Sequence, residues 1–120
     1  MHIIRVSNSF PDNLEQDFKQ IKISMPGIQI MLPKFAFYVF RIVDLPAKAA
    51  NILKQNMLSI GGEVAVPASV ASFDPANVDV YLAATASQLL ELINKLVKQP
   101  FGLLELSILL SKELRGDGWL

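Results

Sequence analysis

Residues able to act on a substrate are scarce in this chain and do not converge. The one histidine, His2, stands at the head of an apolar run, where a solvated side chain is expected rather than a base or a ligand. No cysteine is present, which excludes disulfides, thiolate chemistry and cysteine-bound zinc. The acidic residues do not pair at i, i+3 or i+4 on an apolar background, so general acid–base work has no obvious couple. Serines are plentiful, but a triad needs a histidine better placed than His2. Asp74 and Asp79 lack calcium-loop spacing. No catalytic residue, metal site or cofactor is therefore expected.

Gly61-Gly62 is the one glycine pair, and such pairs can cradle phosphate. Phosphate cradles place their glycines after a strand, at a helix N-terminus, where free N–H groups and the dipole favour anions. Here the pair follows a helical pattern and precedes the short extended run "EVAV". The expected role is structural. One glycine supplies a left-handed helix end and the other lets the chain turn into the strand.

The remaining polar candidates are Lys34, Arg41, Lys54 and Gln55, which could contact a pterin, a folate or a phosphorylated metabolite. A solvated face is the simpler reading of the lysines and the glutamine. Pro100, Phe101 and Gly102 mark a helix–helix corner, with Phe101 expected to plug it.

These residues need elements to hold them. "HIIRV" reads as a first strand. Ser9, Pro11 and Asp12 suggest a helix start, and Leu14, Phe18 and Ile21 recur at helical spacing. Pro26-Gly27 reads as a turn and Ile28 to Leu32 as a short extended piece. "FAFYVFRIVDL" is the strongest strand signal, apolar on both faces and so expected to be covered on both, with Arg41 paired or near its end. A helix over about Ala47 to Ile60 follows, with Ala49, Leu53, Met57 and Ile60 inward. "PASVASFDPAN" reads as a loop with one helical turn at most. Val78 to Thr85 is a strand. Thr85 or Ser87 caps a helix to about Lys98, with a Glu91–Lys95 pair outside. The alternation implies an α/β (α+β) domain, a small mixed sheet of about four strands packed by about four helices.

The final helix carries too much leucine. Leu103, Leu106, Leu110 and Leu114 form one stripe able to face a core. Leu104 and Ile108 lie roughly 100° or more around the cylinder, and Leu109 lies off the other side. A surface helix normally has one apolar face. Either this helix is sandwiched within its own domain, or Leu104, Ile108 and Leu109, with Trp119 from the tail, meet a second copy or another domain. Residues 1–115 are expected to form one domain and 116–120 a frayed tail.

Bulk properties narrow the class. The chain has 120 residues, 52% of them hydrophobic, with 11 basic and 11 acidic residues. That suits one compact core. A nucleic-acid binder usually carries a basic excess, and none exists here. No apolar run approaches the ~20 residues needed to span a membrane. The N-terminus lacks the h-region of a secretion signal, so a cytoplasmic protein is expected.

Three stretches occur in a recognisable order: "GIQIMLPK" from Gly27, "AANILKQNMLSIGGEVAVP" from Ala49, and "DVYLAATASQLLELINKLVKQPFGLLEL" from Asp79. Together they resemble the N-terminal extension of long-form bacterial and archaeal dihydropteroate synthases. The resemblance covers roughly Gly27 to Leu106. Members of that family join p-aminobenzoate to a pterin pyrophosphate, and their chemistry belongs to a (β/α)8 barrel of about 250 residues. The barrel's "NVTPDSF"-like and "D-G-ES-RP"-like stretches are absent, so no catalytic or pterin-binding residue carries over. The resemblance implies a non-catalytic accessory domain in folate biosynthesis, partnered by its own copy or by a barrel.

Overall fold

The computed structural model describes residues 1–120. Strand β1 (His2–Ser9) is followed by helices α1 (Leu14–Gln20) and α2 (Met25–Met31) and a 3-10 turn (Leu32–Lys34). Then come β2 (Phe37–Leu45), α3 (Ala47–Ile60), β3 (Glu63–Ala65), α4 (Ala68–Ala71), β4 (Val78–Thr85), α5 (Ala86–Leu96) and α6 (Leu103–Gly116). The four strands pair in the order β1-β2-β4-β3. Every pairing is antiparallel, so the sheet is not mixed in strand direction. The fold is a mixed α/β one with six α-helices.

The core lies between one sheet face and three helices. Tyr38, Phe40 and Ile42 of β2 and Val80, Leu82 and Ala84 of β4 alternate inward, as strand periodicity requires. Against them pack Leu53 and Met57 of α3, Leu89, Leu92 and Leu96 of α5, and Leu103, Leu106, Leu110 and Leu114 of α6. Helix α5 contacts both α3 and α6 and so holds the middle of the helical layer. Its start is fixed locally. The Thr85 hydroxyl accepts the Gln88 N–H, and the Gln88 side chain accepts the Thr85 N–H, a reciprocal capping box.

Strand β2 is central but covered on one face only. Phe37, Val39, Arg41 and Val43 point to the other side and stay partly or fully exposed. The expectation of two covered faces fails because all three long helices pack on the same side. Arg41 is paired, as expected: its guanidinium donates to Asp79 of β4 at 2.6 Å. The same carboxylate accepts the Asp44 N–H at 3.0 Å. That bond holds the register shift between Ile42 and Leu45, where Asp44 has φ 60°.

Several local expectations are corrected. Ser9 is no helix cap but the last residue of β1, paired with Phe37. Cross-strand pairing along His2–Ser9 overrides the local cap signal. Helix α1 instead begins after Asn13, which has φ 58° and no side-chain cap. Residues 28–32 are not extended. Pro26 sits in the first turn of α2, where its missing N–H costs nothing, and Ser24 Oγ accepts the Gly27 N–H at 3.3 Å. Glu91 and Lys95 form no ion pair.

The tail is not frayed. Helix α6 runs to Gly116, and the next residues fold back on the sheet. Trp119 Nε1 donates to Tyr38 Oη at 2.9 Å, and its ring meets Phe10 edge-on at 5.5 Å. Arg5 points inward from β1, donates to Asp117 at 2.8 Å and to Glu113 at 3.1 Å, and lies over the Tyr38 and Phe40 rings.

Candidate functional site

The polar residues nominated from sequence do not form a site. Lys34 lies exposed in the 3-10 turn and Gln55 lies exposed on α3. Arg41 sits on the open sheet face and pairs with Asp79 through one terminal guanidinium nitrogen, while its Nε is buried without a hydrogen-bond partner. That hydrogen bond raises the Arg41 pKa and lowers that of Asp79. Lys54 donates to Glu63 at 3.2 Å and to the Val64 carbonyl at 2.8 Å, tying α3 to β3. Glu63 also accepts the Val64 N–H, and these bonds lower its pKa, the backbone one most. The four residues occupy three separate elements. No group of three or more His, Cys, Asp or Glu side chains is arranged to hold a metal ion.

The glycines divide their work. Gly61 ends α3 with φ 100°, and its N–H reaches back to the helix carbonyls of Met57 and Leu58. Gly62 is not left-handed, but a Cβ there would lie 2.2 Å from Met57 Sδ. Its smallness lets α3 close on the sheet. Gly102, with φ 86°, begins α6.

Helix α6 presents two apolar surfaces. Leu103, Leu106, Leu110 and Leu114 are fully buried. Leu104 and Ile108, four residues apart, are 50% and 49% exposed, while Leu109 is intermediate. Trp119 does not join that patch. It is held at the far end of α6, against Phe10 and Tyr38.

A second feature lies at the other end of the helical layer. A groove of about 640 Å³ opens between the start of α3, the end of α4 with its following loop, and the α5–α6 corner. Lys48, Asn51, Val70, Phe73, Asp74 and Phe101 line it. Phe101 does not plug the corner, since it is 47% exposed with φ 62°. Positive φ at the Phe101-Gly102 step turns the chain sharply into α6 and directs the ring outward into the groove. Phe73 is 92% exposed, also with positive φ, 61°. Lys48 Nζ stands 5.5 Å from the centre of the Phe101 ring.

Sequence reading missed this groove because its parts come from three distant segments. One signal was available. Helix α3 carries Lys48 and no acidic residue in its first turn, the reverse of the usual charge preference. The left-handed phenylalanines leave no mark in composition.

No helix is long and apolar enough to cross a membrane. No family model matches the chain, and no solved structure matches it. Two curated proteins are similar. Over 105 residues, 88% of this chain, it is 36% identical to the bifunctional dihydropteroate synthase/dihydropteroate reductase of Helicobacter pylori. Over 103 residues, 86% of the chain, it is 31% identical to the probable bifunctional folylpolyglutamate synthase/dihydropteroate synthase of Halobacterium salinarum. The matches span only 28% and 12% of those proteins. The activity common to both names is dihydropteroate synthase.

Proposed function

We propose that this chain is an accessory domain of a dihydropteroate synthase-type protein, working in folate biosynthesis by packing on the synthase domain. The observation that carries the reading is the doubled apolar surface of α6. One stripe completes the core, and the other, Leu104 and Ile108, stays half exposed. Two similar proteins are each named for a dihydropteroate synthase and are far longer than the matched region, which supports a neighbour of that kind.

The test is co-purification of this chain with the remaining part of the Helicobacter pylori relative, followed by light scattering. Retention of a defined complex is expected. A chain that is strictly monomeric and never retained overturns the reading.

A further inference from the structure

The groove holds two aromatic rings that folding alone does not explain. Left-handed backbone is costly for a bulky side chain, by roughly 1–2 kcal/mol per residue. Phe73 adopts it and then leaves its ring 92% exposed, so the ring contributes almost nothing to the core. Phe101 adopts it as well and leaves its ring half exposed on the lining of the same groove. Local rules broken twice around one concavity are the pattern expected where a surface serves a ligand.

The polar complement is equally specific. Lys48 forms no ion pair; the protein's four salt bridges involve other cations. Asp74, the one acidic residue on the lining, accepts the Ala76 N–H at 2.9 Å and is engaged within its own loop. A free ammonium thus stands beside exposed ring faces in a space of about 640 Å³, within the range of small-molecule sites. Aromatic faces attract flat rings, and an ammonium attracts a carboxylate or phosphate.

We propose that this groove binds a flat aromatic small molecule bearing a carboxylate or phosphate, its ring against Phe73 and Phe101 and its anion on Lys48. The site is independent of the docking reading, because Leu104 and Ile108 do not line the groove.

Titration of the isotopically labelled chain, followed through its amide resonances, tests this. Pteroate (ring plus carboxylate) and adenosine monophosphate (ring plus phosphate) are the two probes. Saturable shifts at Lys48, Asn51, Phe73 and Phe101 with either probe are expected, and whichever binds more tightly identifies the source. Lys48→Met should weaken binding about tenfold, the loss of one charge-assisted contact. Phe73→Gly relieves the positive φ, so it should stay folded yet bind more weakly. No saturable shift with either probe at about 1 mM overturns the proposal, that being the weak end of specific affinity. So do shifts confined to other regions, or unchanged affinity in both variants. Failure here with an intact synthase complex would leave the docking reading standing.

Discussion

Tyr38, in the central strand, donates a 2.5 Å hydrogen bond to the Asp117 carboxylate, 79 positions along the chain. The same carboxylate receives Arg5 from β1, and Trp119 Nε1 donates to the Tyr38 oxygen. One phenol thereby joins the edge strand, the central strand and the end of α6. Tyr38→Phe removes the donor to Asp117 and the acceptor for Trp119 while keeping the buried ring. A loss of about 1–2 kcal/mol is expected, as for one hydrogen bond to a charged group plus an orphaned donor. Urea unfolding checks it, and a change under about 0.5 kcal/mol, typical of a neutral surface substitution, counts against the network.

The same cluster sets a dependence on pH at both extremes. Partial burial alone would raise the Asp117 pKa, but the bonds from Tyr38 and Arg5 outweigh it and hold it below the ordinary value. Asp79 is lowered too, chiefly by Arg41 and then by the Asp44 N–H. A carboxyl depressed in the folded state adds stability above its unfolded pKa of about 3.9, and that stability is lost as pH falls through the folded value. Tyr38 is pushed from 10.0 up to about 12, first by burial and then by the Asp117 hydrogen bond. Its contribution is complete below pH 10 and disappears as pH rises toward 12. Thermal melts should therefore fall off below about pH 4 and again above about pH 10. Tyr38→Phe should flatten the alkaline limb, and an unchanged limb would refute the assignment.

Gly62→Ala tests the close approach of α3 to the sheet. The added methyl would overlap Met57 Sδ and Cγ, at 2.2 and 2.9 Å, and crowd the Ala83 carbonyl at 3.2 Å. Met57 is fully buried and has little room to yield. Overpacking of this kind costs about 1–3 kcal/mol. Calorimetry of Gly62→Ala should show it, and a second substitution, Met57→Ala, should not add its own full cost on top. Simple additivity of the two would mean that the contact is not the cause.

Leu104→Glu and Ile108→Glu separate folding from assembly. Both side chains are half exposed, so folding stability should change by less than about 0.5 kcal/mol. Retention of the synthase domain should drop sharply, since a charge in the centre of an apolar interface is left unpaired. Equal retention by wild type and both variants would move the docking surface elsewhere.

Much of the architecture is legible from local pattern. Ala47–Ile60 and Val78–Thr85 match the expected spans, because each has strong periodicity and clear punctuation at both ends. The leucine excess of α6 left two readings open, and the half exposure of Leu104 and Ile108 is a fact of the tertiary structure. Where tertiary pairing competes with local signals, reading fails. Ser9 looks like a cap until β1 is seen to pair with β2 along its length. "RGDGWL" looks loose until Asp117 and Trp119 find Tyr38.

The sequence by itself determined the class of fold and the inner stripes of its helices. Those depend on residue type and on spacing within a few turns. Only the tertiary structure decided that the sheet is covered on one side, that the nominated lysines and Arg41 stand apart, and that Lys48, Phe73 and Phe101 share a groove. Those facts depend on which distant segments meet. Chain geometry carries that information through packing and backbone angles, neither of which is written in local composition.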